Sequence, residues 1–185
     1  MVLGVESGLN MVFLHLILAG GVLAGGVVFA EEGVRVGVCE LAREAGRFEG
    51  KLVEVTGFVS RGFEEFVLWA PECGEEGQIW LEYGGRVGAG TVYCCGVEAR
   101  RKRARDLEVA GVRIPLERDA AFREFDRLTR RKPERVVRAT LVGRIFAKRE
   151  GVGGYGHFGL YDLLVIQRVK GVEAERGTGA SRSGP

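Results

Sequence analysis

The sequence is poor in the residues from which most active sites are built. Of its 185 residues, 4 are cysteine and 2 are histidine. It contains no GxSxG nucleophile elbow, no HExxH zinc motif and no cysteine and histidine at a spacing typical of a known catalytic pair. Carboxylates are plentiful, but no pair of them stands in an apolar setting. We therefore expect no catalytic residues, no cofactor and no enzymatic activity.

A CxxC pair is also missing, and this disfavours a metal centre. Structural zinc sites take four cysteine or histidine ligands at short spacings. Only one histidine, His157, lies outside the first 30 residues. We therefore expect no metal site.

Lysine and arginine are absent before the one long apolar run, residues 12–29, which itself contains no charged residue. Small side chains at Val28 and Ala30 suit cleavage after Ala30, as in a secretory signal peptide. As a helix the run would span roughly 27 Å, just short of the roughly 30 Å of a bilayer core. Glu6 departs from the pattern, although a start at Met11 would remove it. Two interpretations remain: a cleaved signal peptide covering residues 1–30, with export to the periplasm or the medium, and an uncleaved membrane anchor.

All four cysteines follow this segment: Cys39, Cys73, Cys94 and Cys95. An oxidising compartment favours disulfides, and four cysteines allow three full pairings. We favour Cys39 with Cys73, because the first lies at a predicted helix start and the second just after a predicted strand. Cys94 and Cys95 are adjacent and would project to opposite faces of a strand. Their pairing stays open, as does the alternative of small buried thiols.

The net charge of +2 hides a strong asymmetry. Residues 31–95 hold 6 Lys/Arg against 12 Asp/Glu, whereas residues 96–149 hold 17 against 8, or about −6 and +9. The densest basic run, residues 100–105, supplies the candidate ligand-binding residues Arg100, Arg101, Lys102 and Arg103. Clustered cations release counterions from a polyanion. In an exported protein the partner would be an anionic lipid or glycan; the alternatives are a solvated loop and pairing between the two halves.

Hydrophobic periodicity predicts a mainly β domain. In residues 51–60 the apolar side chains Val53, Val55 and Val59 alternate with more polar ones, as in a half-buried strand. Five strands with a helix between the third and fourth are typical of an OB-like Greek-key barrel, here with a short helix before it. We expect an OB-like domain over residues 31–170 and a disordered tail over 171–185. The predicted helices are 36–47 and 117–131, and the predicted strands are 51–60, 63–70, 78–83, 135–148 (with a bulge at Gly143) and 158–169.

Three segments carry a family resemblance: FEGKLVEVTGFVSRGFEEFVLWAPECG, QIWLEY and GYGHFGLYDLLVIQRV. With Gly50-Lys51 before an alternating strand, Gly57 within it, the PECG turn at residues 71–74 and Gly156-His157, they resemble small exported bacterial OB-like proteins. These lie near the periplasmic bacterial-OB and tRNA-anticodon-binding-like groups. The resemblance covers about residues 36–83 and 135–169 and implies the barrel fold. It implies no catalytic residue, and fold alone does not imply function.

Aromatic residues supply the other candidate ligand contacts. Trp69 and Trp80 fall on the second and third predicted strands, the face that OB-folds often use for ligands. Tyr155 and His157 lie in the glycine-rich loop before the last strand. Exposed aromatics can stack on bases or sugars. Because aromatics alternate onto both faces of residues 63–69, we expect most of them to pack in the core.

These patterns together predict a non-catalytic, exported OB-like binding module whose basic second half contacts an anionic envelope ligand or partner. A second hypothesis is an envelope structural or assembly protein, tethered to the membrane through residues 12–29 if that segment is uncleaved. A third, nucleic-acid binding, applies only if the protein is not exported.

Overall fold

A computed structural model describes residues 31–74, 77–91, 97, 100–130, 135–149 and 151–174, all within the unit Glu31–Pro185. The predicted signal segment, Cys94, Cys95 and residues 175–185 lie outside the described residues. No helix in the described ranges has the length and apolar character to cross a bilayer. The elements are β1 (Val34–Arg35), α1 (Val38–Arg43), β2 (Leu52–Arg61), β3 (Phe66–Trp69), β4 (Ile79–Tyr83), β5 (Leu107–Val109), β6 (Val112–Ile114), α2 (Ala120–Thr129), β7 (Val137–Phe146) and β8 (Asp162–Ala174).

Five of the strands close into a barrel. Strand β2 pairs antiparallel with both β3 and β7, and β3 pairs antiparallel with β4. Strand β4 pairs parallel with β8, which pairs antiparallel with β7 and so completes the circle. The helix α2 lies in the chain between the third and fourth barrel strands. This topology confirms the predicted OB-like barrel.

Alternation along the strands fills the barrel as predicted for β2. Val53, Val55 and Val59 are at most 1% exposed and belong to the main core. At Gly143 the register of β7 with β8 shifts, which confirms the predicted bulge. A Cβ at Gly143 would lie 2.3 Å from the Val165 carbonyl oxygen, so the strands approach here only because the residue is glycine.

Helix α2 closes the barrel through its apolar stripe. Its N-cap, Asp119, accepts a hydrogen bond from the Phe122 backbone N–H at 2.8 Å, which satisfies one free donor of the first turn. Phe122 and Phe125 are buried, and their ring centroids lie 5.2 and 6.4 Å from that of Tyr83. The helix therefore packs directly onto the aromatic side chains of the barrel interior.

Cys39 in α1 and Cys73 after β3 form a disulfide, with their sulfurs 2.01 Å apart. The predicted pairing is therefore present in the fold. Helix α1 is shorter than the predicted helix 36–47. It ends at Arg43 and is followed by a 3-10 turn at Ala45–Phe48.

Two strands, β3 and β8, differ most from their predicted bounds. β3 begins at Phe66, because residues 62–65 form a turn in which the Gly62 N–H donates to the Glu65 carbonyl at 2.8 Å. β8 begins at Asp162 and continues to Ala174, so residues 171–174 are not part of a tail. Gly171 and Ala174 pair with Thr140 and Val137 of β7, which satisfies backbone groups that a free tail would leave to water.

The chain between β4 and α2 contains the β5–β6 hairpin, which the sequence analysis did not predict. It lies against the outer face of the barrel sheet and closes a second apolar cluster, here called the outer cluster. Its buried members are Val67, Trp80, Val97, Leu107, Val109, Ile114, Phe146, Leu163 and Val165.

Candidate functional site

The basic run lies beside the chain that leaves β4. Lys102 forms a β-bridge with Val87, and the Gly88 N–H donates to the Arg101 carbonyl at 3.1 Å. Of the basic side chains in this run, only Arg103 is buried, while Arg100, Arg101, Lys102 and Arg105 are exposed.

This segment lines an open cleft of about 430 Å³, here called the basic cleft. Its exposed cations are Arg100, Lys102 and Arg105. Two acidic residues, Asp106 and Glu108, also line it. Arg101 is exposed too, and its side chain lies over Gly90 rather than lining the cleft. The residues that line it are Arg100, Lys102, Arg103, Ala104, Arg105, Asp106, Leu107 and Glu108.

Arg103 differs from its neighbours because its guanidinium group is buried and bound to other groups of the protein. The residue is 7% exposed. Its NH1 group donates to the carbonyls of Tyr83 at 3.1 Å and Val87 at 3.0 Å, and NH2 lies 3.3 Å from Oε1 of Glu82. The structure therefore places Arg103, which the sequence analysis predicted as a ligand contact, in the buried floor of the cleft rather than among its exposed cations.

Glu82, the partner of Arg103, is a buried acid that sequence analysis did not single out. It lies on β4 with a fully buried side chain, and its Oε1 also accepts the backbone N–H groups of Tyr83 and Ala89, each at 2.7 Å. The other oxygen, Oε2, is buried and has no hydrogen-bond partner in the described part of the chain. Burial raises the pKa of Glu82, and the Arg103 charge and the two N–H donors only partly oppose this. The one sequence clue was an acid in the apolar strand QIWLEY.

Trp80 shares the outward face of β4 with Glu82 but is not available for stacking on a ligand. It is 1% exposed, its ring centroid lies 5.5 Å from that of Tyr161, and a Cβ at Gly156 would meet its ring at 2.4 Å. The prediction for Trp80 is therefore corrected: it is a core residue of the outer cluster. Trp69 is half-buried and packs on Phe58, with ring centroids 5.3 Å apart.

The covering of Trp80 has a consequence for the whole sheet. OB-folds commonly bind ligands on the face of their second and third strands. Here the β5–β6 hairpin and the loop between β7 and β8 pack on that face. The part of this face that carries Trp80 is therefore covered by the chain itself.

The loop between β7 and β8 carries the last two predicted contacts. The Tyr155 N–H donates to the Tyr161 carbonyl at 2.8 Å, and burial, with the Glu49 charge, raises the pKa of the Tyr155 hydroxyl. Nε2 of His157 lies 3.8 Å from a carboxylate oxygen of Glu64. This contact joins the loop to the turn after β2.

Four large apolar side chains of this loop and of the turn after β2 are exposed, a feature that sequence analysis missed. Two of them are neighbours in the chain of Glu64 and His157, and the other two lie elsewhere in the β7–β8 loop. Three of the four fall within predicted strands, where the sequence analysis did not expect such exposure. The four are Phe63 (72% exposed), Val152 (82%), Phe158 (71%) and Leu160 (62%).

A buried polar network on the other side of β4 is structural. The Tyr83 hydroxyl donates to Oδ1 of Asp126 at 2.9 Å, and NH1 of Arg61 lies 3.0 Å from the tyrosine oxygen and 3.2 Å from Asp126. Burial raises the pKa of Tyr83 beyond its ordinary range, so the phenol stays protonated. The network ties α2 to the barrel.

The predicted contacts do not form one site. Arg100, Arg101 and Lys102 belong to the exposed basic segment, whereas Tyr155 and His157 belong to the loop that covers the outer cluster. Within the described ranges, no three His, Cys, Asp or Glu side chains are grouped to hold a metal ion.

Comparisons with known proteins add nothing to this geometry. No family model, no curated protein and no solved structure matches the chain. The fold assignment rests on the strand topology alone, and the resemblance to exported OB-like proteins stays a prediction.

Proposed function

We propose that the chain is a non-catalytic, exported binding module that holds an anionic partner in the basic cleft. The observation that carries the proposal is the open cleft of about 430 Å³ whose lining includes Arg100, Lys102 and Arg105. The Cys39–Cys73 disulfide supports the proposal that the protein functions outside the cytoplasm, because disulfides persist in oxidising compartments.

The chemistry of the cleft favours a partner with repeated anionic groups. Guanidinium groups bind phosphate, sulfate or carboxylate oxygens through two parallel hydrogen bonds. Several cations along one segment would together release counterions from such a partner. In an envelope this describes an acidic glycan or an anionic lipid headgroup. Nucleic acid would fit the same chemistry only in a protein that stays in the cytoplasm.

The test uses heparin as the probe polyanion. The variant R100Q/K102Q/R105Q removes three cationic lining residues without touching the buried Arg103. The matched control, R118Q/R123Q/R138Q, removes three exposed cations elsewhere on the described surface. We expect the cleft variant to elute from immobilised heparin at clearly lower salt than the control, since each lost phosphate-like contact weakens binding. Equal elution of the two variants would contradict the proposal.

The second candidate function is that of an envelope assembly protein, and the exposed side chains Phe63 and Phe158 favour it. Exposed apolar side chains gathered on one surface mark interaction sites. An apolar protein interface responds little to salt, whereas polyanion binding weakens steeply. We would therefore measure binding of the purified domain to envelope preparations at low and moderate salt. Salt-resistant binding that F63S/F158S abolishes would favour this second function over the first.

A further inference from the structure

The floor of the basic cleft is a buried ion pair that joins it to the barrel. Arg103 lines the cleft, and its NH2 group lies 3.3 Å from Oε1 of Glu82, with the two side chains 3% and 0% exposed. The cleft therefore rests on a cation whose charge is compensated from below by a carboxylate of β4.

We propose that protonation of Glu82 tightens anion binding in the basic cleft, so that the strand beneath the cleft makes the binding pH-dependent. This inference rests on the proposed function and names the regulation of the same site.

The first argument is charge. With Glu82 ionised, the pair contributes no net charge to the cleft. With Glu82 protonated, the Arg103 cation is uncompensated, and the floor gains one positive charge. An anion in the cleft then meets a more favourable potential, and the low polarisability of the buried surroundings screens this less than water would.

The second argument is that the segment stays in place when the proton binds. Arg103 also donates to the carbonyls of Tyr83 and Val87. In addition, the backbone N–H of Arg103 donates to the Arg86 carbonyl at 3.0 Å. Protonation of Glu82 therefore changes the charge of the floor without releasing the chain that forms it.

The third argument is that the titration lies within reach. Burial raises the pKa of Glu82 above that of an ordinary carboxyl group, so the proton binds under milder acid than it would on a surface glutamate. By linkage, an anion that prefers the protonated form raises this pKa further.

Among the described residues, the charge that acts on the Glu82 carboxyl group comes from Arg103 of the segment 100–105. Arg86, on the chain after β4, donates its Nε–H to the Arg103 carbonyl at 3.4 Å. The neighbouring residue across β8 is Val165, which carries no charge. The carboxylates of Asp106 and Glu108 border the cleft from its own side.

The experiment isolates Glu82 from the other titrating groups. Its background is the full chain carrying D106N/E108Q/H157Q, and its probe is dextran sulfate, whose sulfate groups stay ionised throughout. Affinity is measured at constant ionic strength as the pH is lowered from neutral. We expect the affinity to rise by about three- to tenfold, the effect of one nearby unit charge. Adding Glu82→Gln should give an affinity that does not vary with pH and equals the acid-limit value.

The same pH-dependent rise in the Glu82→Gln protein would overturn the inference while leaving the proposed function intact. Absence of dextran sulfate binding at every pH in the unmodified protein would instead overturn the proposed function and this inference together. Circular dichroism and the thermal midpoint check the fold of each variant. If Glu82→Gln does not fold, E82Q/R103M removes both charges; pH-independent, weaker binding by that protein supports the inference, and a retained pH dependence contradicts it.

Discussion

Glu82 lies on β4 and Arg103 in the chain that follows it, and each would be costly to bury alone. An ionised carboxylate or guanidinium in an apolar interior requires a partner and hydrogen bonds to its remaining polar atoms. Here the two charges meet at 3.3 Å, and backbone groups complete most of the hydrogen bonds. The pair fixes the chain after β4 to the outer sheet face at this point.

Arg103→Met should destabilise the protein at neutral pH by about 3–5 kcal/mol, because it leaves a buried carboxylate without its cation. Adding Glu82→Gln should recover most of that loss, since no buried charge then remains. Urea unfolding of the two single variants and the double variant gives the coupling between the sites. Equal destabilisation by R103M in the presence and absence of E82Q would contradict a direct pair.

The pH dependence of stability follows from the direction of the Glu82 shift. Its pKa is raised in the folded state, so the folded protein holds this proton more tightly than the unfolded chain. The stabilisation from the proton is full below the ordinary carboxyl pKa and is lost as the pH rises through the raised pKa. Glu82→Gln should flatten this part of the profile when unfolding free energy is measured in small pH steps. An unchanged profile in that variant would assign the dependence to other groups.

At the scale of elements, the β5–β6 hairpin decides which surfaces of the barrel are free. Its strands are three residues each, and they cover the sheet face that carries Trp80. The two-residue turn holds Ala110 at φ 49° and Gly111 at φ 77°. A type I′ turn places both central residues at positive φ, where alanine is strained and glycine is not.

Ala110→Gly should therefore stabilise the protein by about 0.5–1 kcal/mol, because relief of the left-handed strain outweighs the added freedom of the unfolded chain. The mirror control is Gly111→Ala, which should destabilise it. A Cβ at Gly111 would meet no atom within 4 Å, so its effect reports conformation rather than a clash. Thermal unfolding of both variants checks the pair. A lower midpoint for Ala110→Gly than for the parent would show that the turn is not strained.

The sequence predicted the elements whose residues alternate or repeat over a long enough stretch. Strand β2 shows a regular period of two, and α2 shows an apolar stripe between an acidic start and a basic end. The hairpin could not be predicted, because its strands LEV and VRI are too short to show a period and are rich in charge. The burial of Arg103 and Trp80 depends on residues far away in the chain, so local pattern placed both on a surface. Local sequence pattern failed to predict the exposure of Phe63 and Phe158 for the same reason.

At the scale of the whole molecule, part of the charge asymmetry is used internally. Acids of the first half pair with bases of the second: Glu82 with Arg103 at 3.3 Å, and Glu31 with Arg144 at 2.8 Å. This agrees with the interpretation that the two halves attract each other. Exposed cations such as Lys102 and Arg105 remain on the surface after this pairing, and they are the ones that the proposed function uses.

The Cys39–Cys73 bond joins α1 to the chain that follows β3, across a sequence separation of 34 residues. Closing a loop of this length restricts the unfolded chain and should stabilise the fold by about 3–4 kcal/mol. We would compare the protein carrying C94S/C95S with the protein in which all four cysteines are replaced by serine. The first should contain no free thiol under non-reducing conditions and should unfold at clearly higher denaturant than the second. Addition of a reductant should bring the two unfolding curves together, because only the disulfide distinguishes their constraints. Two free thiols in the oxidised first protein, with coincident unfolding curves, would show that the native chain keeps these cysteines reduced and would remove the structural support for export.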